Sequence, residues 1–248
     1  MPSLGSHLAT ARLLAQRLRR PAIDAERGSF YLGATAPDIR ALTRLDRGRY
    51  HFFDLDDFAH QDSIALLFER HPALRAAARL DAPTRAFMAG YLTHLVMDEQ
   101  YIVCIYRERF GTSIWGEDPR GNLLDRVLQY ELDRRERDDA VAMSEIREVL
   151  ANVTPAADVG FIERETLGRW IEVVREITAH PPTWDRLPRT LGRHLVEAGY
   201  GEAEIAALYE DVPAILRETL DHVTEPRVRE FLDQTIDRSL ERLREYLA

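Results

Sequence analysis

The stretch PTRAFMAGYLTHLVMDEQYIVCIYRERF, residues 83–110, decides the fold. It has no charged side chain between Arg85 and Asp98, and its apolar residues would lie on every side of a helix. A helix of that kind is buried, so we expect residues 83–110 to form one helix through the middle of the protein. Gly90 costs about 1 kcal/mol in helix propensity, which indicates close packing against a neighbouring element.

Helical periodicity continues on both sides of this central segment. Residues 4–18 have an apolar face at helical spacing, and Ser3 is placed to cap that helix. We predict a loop for GSFYLGATAPDIR (residues 28–40), with Pro37 at the start of a short helical turn. A long helix is expected over about 123–150, and amphipathic helices follow to residue 247. No segment alternates like a strand, so the predicted fold class is all-α.

Composition excludes several functions. The chain has 248 residues and a net charge of −9, which argues against bulk electrostatic binding of nucleic acid. All 33 basic residues are Arg, so Schiff-base and phosphate-loop lysines are excluded. The single cysteine, Cys104, excludes an internal disulfide and a thiolate zinc knuckle. Since no run of 18 apolar residues and no secretory leader are found, we expect a cytoplasmic protein without a transmembrane segment.

His94 and Asp98 are the first candidates for chemistry. They lie four residues apart on the predicted central helix, so both project from one face, one turn apart. This spacing lets an imidazole and a carboxylate bind the same divalent ion, although a structural His–Asp pair has the same spacing. The apolar surroundings favour the ion, because an uncompensated charge is very costly there.

Three upstream residues are further candidate ligands: His7 in the first helix, Asp38 after Pro37, and His51 in an aromatic run. Each alone has a structural explanation, as a cap or surface residue, a first-turn acid or a loop residue. His194 and Glu197 also have a spacing that can support a metal, but such pairs often arise by chance.

The order of these residues carries more information than any one of them. GSHLA, GATAPDI, YHFF and GYLTHLVMD follow one another in the chain, and this ordered set resembles the zinc-dependent phospholipase C family. Its superfamily also contains single-strand-specific zinc nucleases. The resemblance covers about the first 100 residues and implies a mostly helical fold around a zinc cluster. It further implies the ligands, with one zinc on Asp38, His51, His94 and Asp98, and a neighbouring zinc on His7 and the shared Asp98.

The chain departs from the family pattern in two places. Secreted members use the amine of an N-terminal Trp as a ligand, whereas this chain begins Met1-Pro2. The family's remaining zinc takes a His six residues after the helix Asp, where this chain has Cys104, and then a downstream HxxxE or HxxxD pair. The corresponding helix has no His and offers Asp125, Gln129, Glu131 and Asp133. We therefore expect one complete site and at most a second, completed by water or by one of these carboxylates.

The chemistry of the first site agrees with a bound divalent cation. Two imidazoles and two carboxylates form a neutral complex with Zn²⁺, and the same donors suit Fe²⁺ or Mn²⁺. We predict a single domain over residues 1–248, with a metal-binding helical core at 1–150 and residues 151–248 packed on it.

The predicted function is that of a metal-dependent hydrolase, resembling phospholipase C and using metal-activated water. Its substrate would be a small phosphoester or a phospholipid head group. Asp98 is the predicted catalytic ligand, and His60 is a candidate acid–base group, although a surface position suits it equally. One alternative is a non-hydrolytic helical protein in which the cation is structural. Another is an unrelated helical enzyme of a biosynthetic pathway that uses a single iron or zinc ion. The sequence carries no prediction of oligomeric state.

Overall fold

The computed structural model describes residues 1–180, 183–184, 192, 195–196 and 199–248. Within these residues the chain consists of helices joined by turns and loops, with no β-strand, so the all-α prediction is confirmed. The α-helices are α1 (Leu4–Leu18), α2 (Pro21–Asp24), α3 (Arg27–Thr35), α4 (Arg40–Thr43), α5 (Gly48–His51), α6 (Ser63–Arg70), α7 (Ala82–Tyr101), α8 (Thr112–Trp115), α9 (Arg120–Asp138), α10 (Ala140–Ala151), α11 (Arg164–Ala179), α12 (Glu202–Glu210), α13 (Val212–Val223) and α14 (Glu225–Tyr246). Three short 3₁₀ turns cover Ala36–Ile39, Pro72–Leu74 and Ala77–Arg79.

The predicted loop at residues 28–40 is wrong. Most of it is α3, which lies directly against α7, and only Ala36–Ile39 forms the short turn expected after Pro37. Glycine here serves helix packing and not loop conformation. A Cβ atom on Gly33 would lie 1.9 Å from the Phe87 carbonyl oxygen, and one on Gly90 would lie 1.9 Å from the Phe30 carbonyl oxygen. The two glycines therefore let the backbones of α3 and α7 approach closely.

The central helix is buried along nearly its whole length, as its composition predicts. It does not continue as an α-helix to residue 110. From Ile102 to Phe110 the backbone is π-helical, and the Gly111 N–H donates to the Tyr106 carbonyl at 2.7 Å. Cys104 lies in this π-helical segment, where its thiol donates to the side-chain oxygen of Gln100 at 3.8 Å.

The single helix predicted over 123–150 is also wrong, since the chain turns at Asp139. The Asp139 carboxylate accepts from the N–H groups of Val141 and Ala142, at 3.1 and 2.9 Å. This N-cap ends α9 and starts α10 in a new direction, because it satisfies backbone donors that a continuous helix would pair internally.

Two hydrophobic clusters meet along α7. The first cluster contains Leu8, Phe87 and Leu95 and includes side chains from α10, α11 and α14. The second begins at Met97 and contains Phe231 of α14. His94 and Asp98 thus lie at the junction of the two clusters. Among the described residues, no helix has both the length and the apolar character needed to cross a bilayer.

Replacing Gly90 by Ala tests the packing of α3 on α7. We expect Gly90→Ala to lower the free energy of unfolding by about 3 kcal/mol, because the added methyl group would collide with backbone atoms. Gly168→Ala is the matched control in α11, where the nearest atom to a new Cβ is 3.8 Å away. That control should stabilise the protein by about 1 kcal/mol through helix propensity. Urea unfolding followed by circular dichroism measures both, and equal effects would contradict the close approach.

Candidate metal centre

The packing of α3 on α7 fixes the imidazole of His94. Its Nδ1 donates to the Ala34 carbonyl oxygen at 2.9 Å, which assigns the ring nitrogen that carries the proton in the neutral form. The other nitrogen, Nε2, is buried, has no hydrogen-bond partner and lies 3.6 Å from Oδ2 of Asp98. In its neutral form His94 therefore directs the Nε2 lone pair towards Asp98, in the arrangement typical of metal-ligating histidines.

His51 reaches the same carboxylate from α5. Its Nε2 lies 3.3 Å from Oδ2 of Asp98 and 3.5 Å from Oδ1 of Asp38. The Tyr91 hydroxyl, on α7, donates to the Tyr50 carbonyl and so holds the end of α5 against the central helix. Asp38 is in the turn that follows α3, so α3 and α5 together bring Asp38 and His51 to Asp98.

His7 approaches from α1 on the other side of the carboxylate. Its Nε2 lies 3.4 Å from Oδ1 of Asp98. The His7 ring stacks on that of His94, with centroids 3.7 Å apart and planes 8° apart. The structure thus brings together all five predicted ligands, which come from α1, the turn after α3, α5 and α7.

The donor set fits a divalent cation. The Nε2 atoms of His7, His51 and His94 and the Oδ1 atom of Asp98 are buried without a hydrogen-bond partner. Such groups are normally satisfied in a folded protein, and here four of them converge. Potential ligand atoms lie within 4.8 Å of one another in two groups, His7–His94–Asp98 and Asp38–His51–His94. These buried His and Asp groups could hold a metal ion, while the role of each residue and the identity of the ion stay predictions.

Arg47 is the part of the cluster that the sequence analysis missed. Its Nη2 lies 3.1 Å from Oδ2 of Asp98, and its Nη1 donates to the Phe53 carbonyl at 3.1 Å. The side chain is buried beside the cluster. The sequence contains one indication of this position, the four-residue spacing between Arg47 and His51. In the structure this spacing forms one helical turn, in which the His51 N–H donates to the Arg47 carbonyl. In a run of arginines and aspartates, however, that spacing alone indicates a solvated surface.

The charges within the cluster are strongly coupled. Burial alone would lower the pKa of His94, but the charge of Asp98 and the contact between them raise that pKa above its ordinary 6.5. Burial also opposes ionisation of Asp98, yet the charge of His94 and the contacts with His7 and His94 hold the pKa of Asp98 well below its usual range. Burial lowers the pKa of His7 and that of His51. Without an ion, the charge of Asp98 therefore favours a proton on His94.

The other candidates lie outside this cluster. His60 is exposed on the loop before α6, so its predicted catalytic role stays a prediction. Asp125 accepts from the Tyr101 hydroxyl at 2.7 Å and from Gln129 at 2.6 Å. Glu131 and Asp133 pair with arginines of their own helix. These three carboxylates thus have other partners, and neither candidate ligand group includes them. His194 and Glu197 are outside the described residues.

Comparison with known proteins identified no relative. No protein-family model matches the chain, and searches of curated proteins and of solved structures found no significant match.

Zinc binding is expected to release about one proton near pH 6.5, because His94 must lose its Nε2 proton before that nitrogen can bind an ion. The raised pKa of His94 puts this competition above pH 6.5, so zinc affinity should increase with pH through that region. Below the pKa of His94, zinc affinity should rise about tenfold for each pH unit. Burial lowers the pKa of His7 and that of His51, so their protons compete with zinc at a lower pH than the proton of His94.

Isothermal titration calorimetry in two buffers of different protonation enthalpy measures the released protons at each pH. An affinity that stays constant between about pH 5.5 and 6.5 would contradict the assignment of His94 as a ligand.

Proposed function

We propose that the chain is a metal-dependent hydrolase acting on small phosphoesters, with a fold and an order of ligands similar to the zinc-dependent phospholipase C family. The observation that carries this proposal is the convergence of three unpartnered imidazole nitrogens on two carboxylates inside a helical protein. Charge and hydrogen bonding explain such a cluster best when a cation completes it.

Asp38, His51, His94 and Asp98 are the residues proposed to hold the ion. When bound, a divalent cation supplies Lewis-acid stabilisation of phosphoryl charge and makes a water molecule acidic enough to attack. The protein fixes the donors, since Ala34 orients His94 and the α3–α7 contact places the turn that carries Asp38. The apolar clusters on both sides of the centre exclude water from Asp98, which strengthens its electrostatic interactions.

Solvent reaches the cluster at Asp38. Its side chain is 32% exposed, whereas that of Asp98 is 4% exposed. A catalytic centre needs an open side for substrate, and this exposed edge can provide it. Arg40 begins α4 and Arg44 directly follows its last residue, and both are exposed. Guanidinium groups beside the opening would attract a phosphate and favour a phosphoester over an uncharged ester.

A second candidate function is a structural ion that locks the helices together. The burial of His7, His51, His94 and Asp98 favours it, because structural sites are closed to solvent. Exposure of Asp38 favours the hydrolase. The two proposals differ in what the loss of one ligand does to turnover and to stability.

Hydrolysis of bis(p-nitrophenyl) phosphate by the zinc-loaded protein is the direct test. We expect turnover that a chelator abolishes and added zinc restores. His94→Ala should reduce turnover at least about 100-fold, because stabilisation by a metal ion is worth several kcal/mol in the transition state. His180→Ala is the matched control, since His180 is exposed and outside the cluster.

The two candidate functions give different results in this assay. A wild-type protein that binds zinc, gains thermal stability from it and hydrolyses no phosphoester would support the structural ion. Turnover that persists after chelation and in the His94→Ala variant would contradict a metal-dependent hydrolase.

A further inference from the structure

The two candidate ligand groups share one nitrogen. His94 belongs to both, and its Nδ1 is engaged with the Ala34 carbonyl, so only Nε2 can bind an ion. A single imidazole nitrogen donates one lone pair to one ion. If an ion binds His94 together with Asp38 and His51, a second ion beside His7 has only His7 and Asp98 among the clustered side chains.

Stacking prevents His7 and His94 from sharing an ion in this arrangement. Imidazole lone pairs lie in the ring plane, and the two planes are nearly parallel with centroids 3.7 Å apart. An ion in the plane of one ring is therefore far out of the plane of the other. The structure consequently contains one complete position for an ion and one deficient position next to His7.

Arg47 is a cation already present at the carboxylate that two ions would have to share. Its Nη2 lies 3.1 Å from Oδ2 of Asp98, and the whole residue is 9% exposed. The position next to His7 faces the other oxygen, Oδ1, which has no hydrogen-bond partner. We infer that the positive charge of Arg47 on the shared carboxylate, and not occupation of that position, restricts this centre to one divalent cation. This inference rests on the metal centre of the proposed function and adds its stoichiometry and a positioning residue.

The net charge of the cluster supports a limit of one divalent cation. With neutral imidazoles, the carboxylates of Asp38 and Asp98 and the guanidinium of Arg47 leave one negative charge. One divalent ion changes this to one positive charge, whereas two ions would leave three positive charges in a buried region, a costly arrangement. On α9, Glu131 and Asp133 are paired with arginines of their own helix, and Asp125 is bound by the neutral side chains of Tyr101 and Gln129.

Arg47 also has a positive role toward the first ion. A hydrogen bond from an outer partner orients a ligating carboxylate, and Arg47 makes such a bond to Oδ2 of Asp98. The Phe53 carbonyl holds the guanidinium in place from the other side. Arg47 is thus a positioning residue that acts through Asp98.

Metal stoichiometry tests the inference without relying on activity. Protein stripped with a chelator is dialysed against excess Co²⁺ or Zn²⁺, bound metal is counted by mass spectrometry, and the Co²⁺ absorption band is titrated. We expect one equivalent for the wild type and for Arg47→Lys, which keeps the charge. Arg47→Gln keeps a hydrogen-bond donor and removes the charge, and it should take up a second equivalent. Arg49→Gln, an exposed arginine of the same segment, is the matched control and should bind one.

Two equivalents in the wild type would overturn the inference while leaving the metal centre intact. An Arg47→Gln protein that is folded by circular dichroism and still binds one equivalent would overturn it as well. A wild type that binds no metal would remove both the centre and the inference. Should Arg47→Gln not fold, the Co²⁺ electron paramagnetic resonance of the wild type decides: an isolated ion supports one equivalent, and a coupled pair excludes it.

Discussion

The contact between α3 and α7 is the constraint on which the candidate centre depends. Gly33 and Gly90 bring two backbones so close that neither position tolerates a Cβ atom without movement. That approach places the Ala34 carbonyl within hydrogen-bond reach of His94 and leaves the other His94 nitrogen directed at Asp98. It also sets where the chain leaves α3, and with it the position of Asp38. A packing feature thus determines which atoms remain free for chemistry.

The cluster concentrates polar groups where a helical protein normally has none. Three imidazoles, two carboxylates and a guanidinium lie at the junction of two hydrophobic clusters. Part of the cost is offset internally, because Arg47 and a protonated His94 can both compensate Asp98. The offset is incomplete, since six donor or acceptor atoms of the cluster have no hydrogen-bond partner. These buried polar atoms without partners are the physical reason to propose a cation among His7, His51, His94 and Asp98.

The sequence predicts the chemistry of this region better than its architecture. The i, i+4 spacing of His94 and Asp98 and the ordered upstream residues identify a set of side chains that the structure brings together. Local periodicity does not predict secondary structure where tertiary contacts or caps determine it. The glycines of residues 28–40 suggest a loop but serve close helix packing. Asp139 caps a new helix within a segment whose periodicity predicts one continuous helix. The sequence does not identify Arg47, because its role also depends on tertiary contacts. Its importance comes from burial beside Asp98, and no local pattern distinguishes it from neighbouring surface arginines.

The exposure of Asp38 has a kinetic consequence. Of the five proposed ligands it alone has substantial contact with water, while the imidazoles behind it are closed off by packed helices. Asp38 is therefore the ligand through which an ion would exchange with solvent, and the packed helices around the buried imidazoles would slow that exchange.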